Sequence, residues 1–588
     1  MAMDPRSLDL IIRHCTVAEK RLFERFDRIR PTLAEIAKEI APTLVAGLER
    51  NIVDVADGFL RDEDRRMLTT GPMDALRRGA AGFHGNLTSP ATRWFRFRLP
   101  SFMLKNGEAN HEQRKLLDAL TEATEWTFAR SNAYSQIHKV YEHVLALGFA
   151  CMLVYKNTSN PGRIVSVETL RPGTYALDVG SDGLVDTVVQ RFAWTARQLV
   201  GEFGRASLPQ YILDAYENPN SRFEVCCLME PNADDEVRKA TGLGADSVYR
   251  SIYFLKASNL ELANRGVLRY VGFSVRPFVA PRMDVELGDV YGRGRGLDAL
   301  DLARGSQSFK FDELNIVGNQ SQPPMIADSE LKDEGLKLYR GAVTYAHHGE
   351  QRQSLAYPVF ANPPDPSGAR EERADAQQEI ARLFFNDAFS VIDAVKNGET
   401  GRMTATEVNA HVRDAMQRLA PVATLFDREL LDPLVETMSR YALDAAVLPA
   451  PLTEDQARML ATVNVEYVSA IHLAQKQNAL GAIQATIEFA DGLAKAGSPD
   501  VLDNIDADAT LLRFGQLQGF PEACVVDERK VQEIRKGREA VQAEQEQIAR
   551  QQAQAESLAK IGGTPVDEGH AGGELAKAIG ATTEGGVG

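Results

Sequence analysis

At Gly148 the chain changes its hydrophobic period. Before it, GEANHEQRKLLDALTEATEWTFARSNAYSQIHKVYEHVLALG (107–148) spaces apolar residues three or four apart, as one or two long helices do. After it, FACMLVYKN is a strand-like run closed by the turn formers NTSNPG. Up to residue 290, short runs rich in Val, Tyr and Phe then alternate with turn signals: RIVSVETL, TYALDVG, LVDTVVQRFAW, RFEVCCLM, SVYRSIYFLKA and LRYVGFSVRPFVAP. TARQLVGEFG (195–204) interrupts them as a short helix that Thr195 caps and Gly204 ends. A block of strands flanked by helices predicts an α+β fold, predominantly helical, with a mostly antiparallel sheet.

The flanks supply the helices. From Ser7 to about Val55, Leu22, Phe23, Phe26, Ile29, Leu33, Ile36 and Ile40 recur at helical spacing, with Pro31 and Pro42 expected to divide the run. A Gly-rich turn, YGRGRG, leads into a helix beginning near 291. Pro- and Gly-rich punctuation then marks 318–368 as a compact excursion, and a second helix over 369–388 returns from it. These two helices make a hairpin if they pack antiparallel. A loop around Lys396, Asn397, Gly398 and Glu399 precedes Thr404-Ala405-Thr406-Glu407, a capping box that starts a helix firmly. Val408, Val412, Met416, Leu419, Val422, Leu430 and Met438 continue that helix, and Pro421 and Pro433 should kink it.

An Ala-rich helical region follows (453–523), then a polar helix in which Ile534, Val541, Ile548 and Ala555 repeat every seven residues. The companion heptad positions Arg538, Gln545 and Gln552 are polar, so this stripe either packs weakly against identical neighbours in a ring or stays solvated. The tail 561–588 is rich in Gly, Ala and Thr and is expected to be disordered.

Charge and cysteine content exclude several function classes. With 588 residues and a net charge of −16, the chain has material for several packed units and no bulk affinity for nucleic acid or anionic membranes. Five scattered cysteines with no CxxC pair argue for a reducing compartment. The start lacks a signal-peptide core, and charges interrupt every hydrophobic run, so neither secretion nor membrane spanning is expected.

No catalytic constellation emerges. Gly296 is followed by Leu297-Asp298, where a phosphate-binding Walker loop needs Lys-Ser/Thr, so YGRGRG reads as a tight turn. His347-His348 has no supporting metal-ligand spacing and reads as an exposed pair in a turn. In Cys226-Cys227, within a strand, one thiol should point inward and one outward. No metal, cofactor or enzymatic activity is expected.

NLTSPATRWFRFRLP (86–100) interleaves aromatics with arginines, a pattern open to nucleic-acid stacking, a membrane patch, a subunit interface or an edge of the fold. The stretch alone leaves these open.

Four stretches in order resemble the head-to-tail connector, or portal, proteins of short-tailed bacteriophages: LTSPATRWFRF, TARQLVGEFG, RPFVAPRMDVELGDVYGRGRGLDAL and GRMTATEVNAHVRDAMQRLAPVATLFDRELLDPLVETM. The resemblance spans about residues 80–440. It implies a ring of twelve subunits at one capsid vertex, assembled in the host bacterial cytoplasm and carried in the virion. Double-stranded DNA would pass through its channel during packaging and ejection. The implied partners are further copies of the chain, the terminase large subunit, tail adaptor or nozzle proteins, the major capsid protein, and scaffolding or internal core proteins.

On this resemblance, 1–290 is the wing, 291–317 and 369–388 are stem helices, and 318–368 is the clip. The implied wing position favours a packing or inter-subunit role for Trp94, Phe95, Arg96 and Phe97, with the arginines paired to acids of the same or a neighbouring chain. The tunnel loop is 389–402, the long kinked wing helix 403–449, the crown 450–530, and 531–560 a candidate barrel helix. Lys396 and Arg402, with Asn397 and Gly398 between them, are the DNA-facing candidates. Few basic contacts are expected in the channel, because each neutralised phosphate adds affinity and thus friction. The competing reading is a nucleic-acid motor or nuclease subunit with catalytic motifs that spacing does not reveal.

Overall fold

Helix α1 (Pro5–Ile40) runs through Pro31, where the sequence predicts a division. Proline inside a helix costs ~3 kcal/mol. Ile11, Cys15, Leu22, Phe23 and Phe26 before it, and Leu33, Ile36, Ala37 and Ile40 after it, are all buried in one core. At ~1.5–3 kcal/mol per large side chain, that stripe outweighs the lost bond. Pro42 does end the helix, opening a short 3₁₀ turn.

In this computed structural model the described residues are 5–50, 52–53, 67–100, 111–157, 162–244, 246–256, 266–321, 325–327, 356–358, 365–396, 405–445, 463–495, 499–518, 526 and 528–562. They are mostly helical, with smaller antiparallel sheets. One compact unit comprises Met1–Ala109 and Leu116–Gly519, and a second comprises Asn110–Lys115 and Phe520–Gly588.

Along the chain come α2 (Gly71–Leu87), strand β1 (Phe95–Arg98), α3 (His111–Arg130) and α4 (Ala133–Leu147). Gly148 closes α4 at φ +91°, a left-handed position that favours glycine, and the strand block begins. Strands β2 (Met152–Lys156) and β3 (Val165–Thr169) belong to a three-stranded sheet of order β3-β2-β9, with β9 at Phe278–Val279. Strands β4 (Tyr175–Val179), β5 (Val185–Thr195), β6 (Arg222–Pro231), β7 (Tyr249–Leu255) and β8 (Val267–Phe273) form an antiparallel meander. Helix α5 (Ala196–Phe203) leaves β5 through the expected cap, and both bonds of a Thr195/Gln198 capping box are present.

The meander is covered on both faces. Buried residues of β4 to β8 join the core that α1 also lines, while Val225, Leu255 and Leu268 pack with Ala196, Leu199 and Ile212 in a separate cluster. Cys226 and Cys227 are therefore both buried, not one in and one out. Burial pushes each thiol up to about 12, so neither is reactive at neutral pH.

Beyond the sheet lie α6 (Arg295–Ser321), α7 (Ser367–Leu383) and α8 (Asn386–Lys396). Between α6 and α7, β10 (Met325–Ala327) pairs antiparallel with β11 (Ala356–Pro358), so the excursion returns upon itself. Helix α8 occupies residues read from sequence as the start of a loop at 389. Its apolar residues Ala388, Phe389 and Ile392 are buried, and they hold the helix down to Lys396.

The long segment that follows is α9 (Ala405–Phe426), a π turn (Asp427–Leu431) and α10 (Asp432–Asp444). Pro421 sits within α9, while Pro433 opens α10 just after the π turn. The departure from regular α-helix therefore comes just before the second proline, whose missing N–H the wider turn accommodates.

The next region is not purely helical. Strand β12 (Asn464–Tyr467) pairs antiparallel with β1 before α11 (Ala470–Lys495) and α12 (Ala507–Gln518). The second unit contains α13 (Glu528–Gly562), whose Ile534, Val541 and Ile548 are exposed. His347, His348 and residues 563–588 of the tail lie outside the described residues.

Candidate channel and assembly elements

The Gly-rich turn is a backbone crossing. A Cβ on Gly294 would lie 2.4 Å from the Gly148 nitrogen, and one on Gly296 2.1 Å from the Ala146 carbonyl oxygen. Only glycine permits so close an approach. The crossing is fastened by Met283 N–H to Gly148 C=O and Arg293 N–H to Met283 C=O, both 2.7 Å. The glycines start α6 against the end of α4.

Helices α6 and α7 form an antiparallel hairpin, as three cross-links at opposite register show. Arg295 lies over the Phe385 ring at 5.8 Å, just beyond the end of α7. Gln307 and Gln377 both bond Thr69, and near the outer end Glu313 takes Arg370 (2.9 Å), Arg373 (3.2 Å) and Lys310 (3.1 Å). Hydrogen bonds from Arg370 and Lys310 hold the Glu313 carboxyl below the usual carboxylate range. Helix α6 buries Gly296, Ala299, Leu300, Ala303 and Ser306 in its first half. Farther out it exposes Phe311, Leu314 and Val317, at steps of three. The outward residues of α7 are largely acidic: Glu371, Glu372, Asp375 and Glu379 are exposed.

A buried ion pair joins the strand block to the π turn. Arg282, 2% exposed, donates to Glu429 Oε1 at 3.0 Å, to the Gly183 carbonyl at 2.6 Å, and to the Asp289 and Val290 carbonyls. The Glu429 carboxylate also accepts from the Arg282 backbone N–H at 2.8 Å. Two of the sequence stretches singled out above, RPFVAPRMDVELGD and TLFDRELLDP, therefore meet in space. The π turn and the start of α10 also anchor the end of β12 and the chain after it: His472 bonds Asp427 at 2.7 Å, and the Tyr467 hydroxyl donates to Asp432 at 2.5 Å. Burial raises the Asp432 carboxyl despite that hydrogen bond.

The RWFRFR stretch is placed in full. Trp94 is buried; its Nε1–H donates to the Tyr134 hydroxyl at 3.2 Å, and its ring lies parallel to Tyr467 at 6.3 Å. Phe95 and Phe97 are buried beside it. Arg96 and Arg98 share Glu466 at 2.8 and 3.2 Å, and Arg93 grips Glu125 with two bonds. All these acids belong to the same chain. Of the loop candidates, Lys396 is the last residue of α8, while Asn397, Gly398, Arg402 and the capping residue Thr404 lie outside the described residues.

Sequence reasoning passed over Arg282, Glu429, Glu313 and Glu466. Each pairs with a residue distant in the chain, and no local spacing announces such a partner. The signal available was indirect: Arg282 and Glu429 each fall inside a stretch that the resemblance had marked.

Among the described residues no group of acids, histidines and cysteines could hold a metal ion, and no helix is long and apolar enough to cross a membrane. The family described as bacteriophage head to tail connecting protein matches residues 18–526. The chain belongs to that family. This connector is 28% identical over 518 residues to a probable portal protein of Bordetella phage BPP-1, covering 86% of this chain and 89% of that one. It is 27% identical over 508 residues to the portal protein of Salmonella phage epsilon15, covering 85% and 86%. Among solved structures, the connector aligns with a chain of a native gene transfer agent virion at 14% identity, covering 74% of this chain and 94% of that one, with a TM-score of 0.30.

Proposed function

We propose that this connector is the portal subunit at one capsid vertex. Twelve copies close into a ring through which double-stranded DNA is packaged, retained and later ejected. The observation that carries this reading is similarity to portal proteins of two phages along more than four-fifths of the chain. The role is structural: the ring offers a docking platform, first for the terminase large subunit and then for tail proteins, while capsid and scaffolding or core proteins surround it. In this reading the hairpin of α6 and α7 is the stem, 318–368 the clip, and the part nearest DNA is Lys396 at the end of α8 with Asn397, Gly398 and Arg402 beyond it. The net charge of −16 per chain supports a channel that does not grip phosphate.

Mass photometry of the purified full chain tests assembly. The expected species is about twelve times the 64.6 kDa chain, and monomer alone under assembly conditions with scaffolding protein sinks the ring. Deleting 395–400 should leave that ring intact while DNA packaging or retention fails. Unchanged packaging and retention would remove the loop assignment. DNA-stimulated ATP hydrolysis by the isolated chain, abolished by a point substitution, would instead restore the motor reading.

A further inference from the structure

Phe385 stands at φ +63°, one of two non-glycine residues at positive φ among those described. The other, Asp284, is of a type that visits the left-handed region; a phenylalanine there is an outlier. Phe385 occupies the joint between α7, which ends at Leu383, and α8, which starts at Asn386. No glycine or proline forces a break in residues 369–396, and Ala, Arg, Glu and Gln dominate the first half; the one local signal is Asn386-Asp387, types that suit a helix start better than a helix interior.

Packing imposes the bend. The Phe385 ring meets Phe83 edge-on at 5.7 Å, beneath the Arg295 guanidinium. Two glycines of α2 make room for the joint: a Cβ on Gly79 would lie 2.5 Å from the Phe384 carbonyl oxygen, and one on Gly82 2.3 Å from the Phe389 ring. The bent form also leaves polar atoms unsatisfied: Asn386 Oδ1 and Asp387 Oδ1 are buried without a hydrogen-bond partner, although Asp387 Oδ2 takes Arg418 at 2.7 Å. A strained residue, held by aromatic contacts between two helices that no glycine or proline separates, has the makings of a two-state element.

We propose that Phe385 is a hinge, at which α7 and α8 interconvert between the bent arrangement and one continuous helix over 367–396. Passage of this residue from the left-handed to the right-handed helical region is the switching step. Helix α8 is a lever about 16 Å long, and its far end is the backbone of Lys396. The use of the hinge in a DNA channel rests on the proposed function, but its existence does not, and the following measurement reads the hinge alone.

Spin labels at exposed Glu372 and Ser390, in a Cys524→Ser background, report the joint by pulsed dipolar spectroscopy; the remaining four cysteines are buried. Labelled full chain is diluted with unlabelled chain so that only distances within a subunit are read. A fused helix places the two sites roughly 27 Å apart, and the bend brings them closer. Wild type should show both distances. Phe385→Gly removes the left-handed penalty and should show the shorter alone. Phe385→Ala removes the same ring contacts but keeps that penalty, so its longer-distance fraction should exceed that of Phe385→Gly at least about fivefold. Phe385→Gly should also melt above Phe385→Ala, the reverse of their order at an ordinary helix position. Identical distance distributions in the two variants overturn the hinge. Should Phe385→Ala fail to assemble, wild type against Phe385→Gly decides: a longer distance present only in wild type supports it, and identical distributions overturn it.

Discussion

The strand block and the helical hairpin treat their apolar residues in opposite ways. In the block, Val188, Val189, Cys226, Leu228 and Ile252 are sealed between covering helices, and even the cation Arg282 is buried with its acid. In the outer half of the hairpin, Phe311, Leu314 and Val317 face outward, and the buried charge Glu313 is held by three cations along its edge. The block is thus completed by its own chain, whereas the hairpin presents apolar surface of the kind that marks an interaction site. If that contrast is real, damage inside the block must appear as lost folding, and damage on the hairpin as lost assembly.

The largest loss is expected from Arg282→Ala. It strands Glu429 in a buried site and frees three carbonyls, a change worth ~3–5 kcal/mol for a broken buried pair. Denaturant unfolding of the purified chain measures it, and a loss below ~1 kcal/mol would mean that water reaches the pair and the block is less sealed than its burial indicates. Trp94→Ala should cost a similar ~3–5 kcal/mol, because the ring is enclosed by Phe95, Phe128 and Tyr467. Its defect should appear in the melting of the chain before any defect in DNA handling; a normally folded variant that fails only to assemble would move Trp94 to the interface class.

His143 provides a smaller effect with a defined pH window. Its imidazole is fully enclosed and its Nδ1 has no partner, and burial, then Lys139 and Arg171, push it down from 6.5 to about 4. The unfolded chain takes up this proton below about pH 6.5, and the folded chain only below about 4. Stability is therefore intact above pH 6.5 and falls by ~3 kcal/mol as the pH drops to 4. His143→Leu, which fills the site without a titrating group, should flatten that part of the stability curve. An unchanged slope between pH 6.5 and 4 would assign the acid sensitivity to other groups.

The strand block was legible because its signals are local. Every run between 149 and 290 named above as strand-like holds a strand, and Thr195 and Gly204 bracket α5 as their capping chemistry requires. What escaped was set by distant partners. Pro31 did not divide α1, because apolar residues on both sides of it bury in one core. Residues 464–467 became a strand because Phe95–Arg98 offered an edge and Arg96 and Arg98 a counter-charge for Glu466. The break at Phe385 has no breaker residue and comes from the aromatic contacts around it. In the candidate channel, the hairpin was visible from its punctuation, while its cross-links, from Arg295 to Glu313, were not, since pairing across an excursion leaves no periodic trace.

The smallest effect on folding should come from the hairpin's outer face. Phe311 and Leu314 are 55% and 48% exposed, so replacing both with serine removes little packing and should shift the stability of the isolated chain by no more than ~0.5 kcal/mol. The same double substitution takes away two large apolar groups on one side of α6, the surface that the proposed ring would use to seat a neighbouring copy. Ring yield by mass photometry should therefore fall sharply while the melting of unassembled chain is preserved. A full yield of rings from the double variant would show that this surface is not buried by assembly. The contrast between a self-sufficient strand block and a hairpin finished by neighbours would then have to rest on the acidic residues of α7 instead.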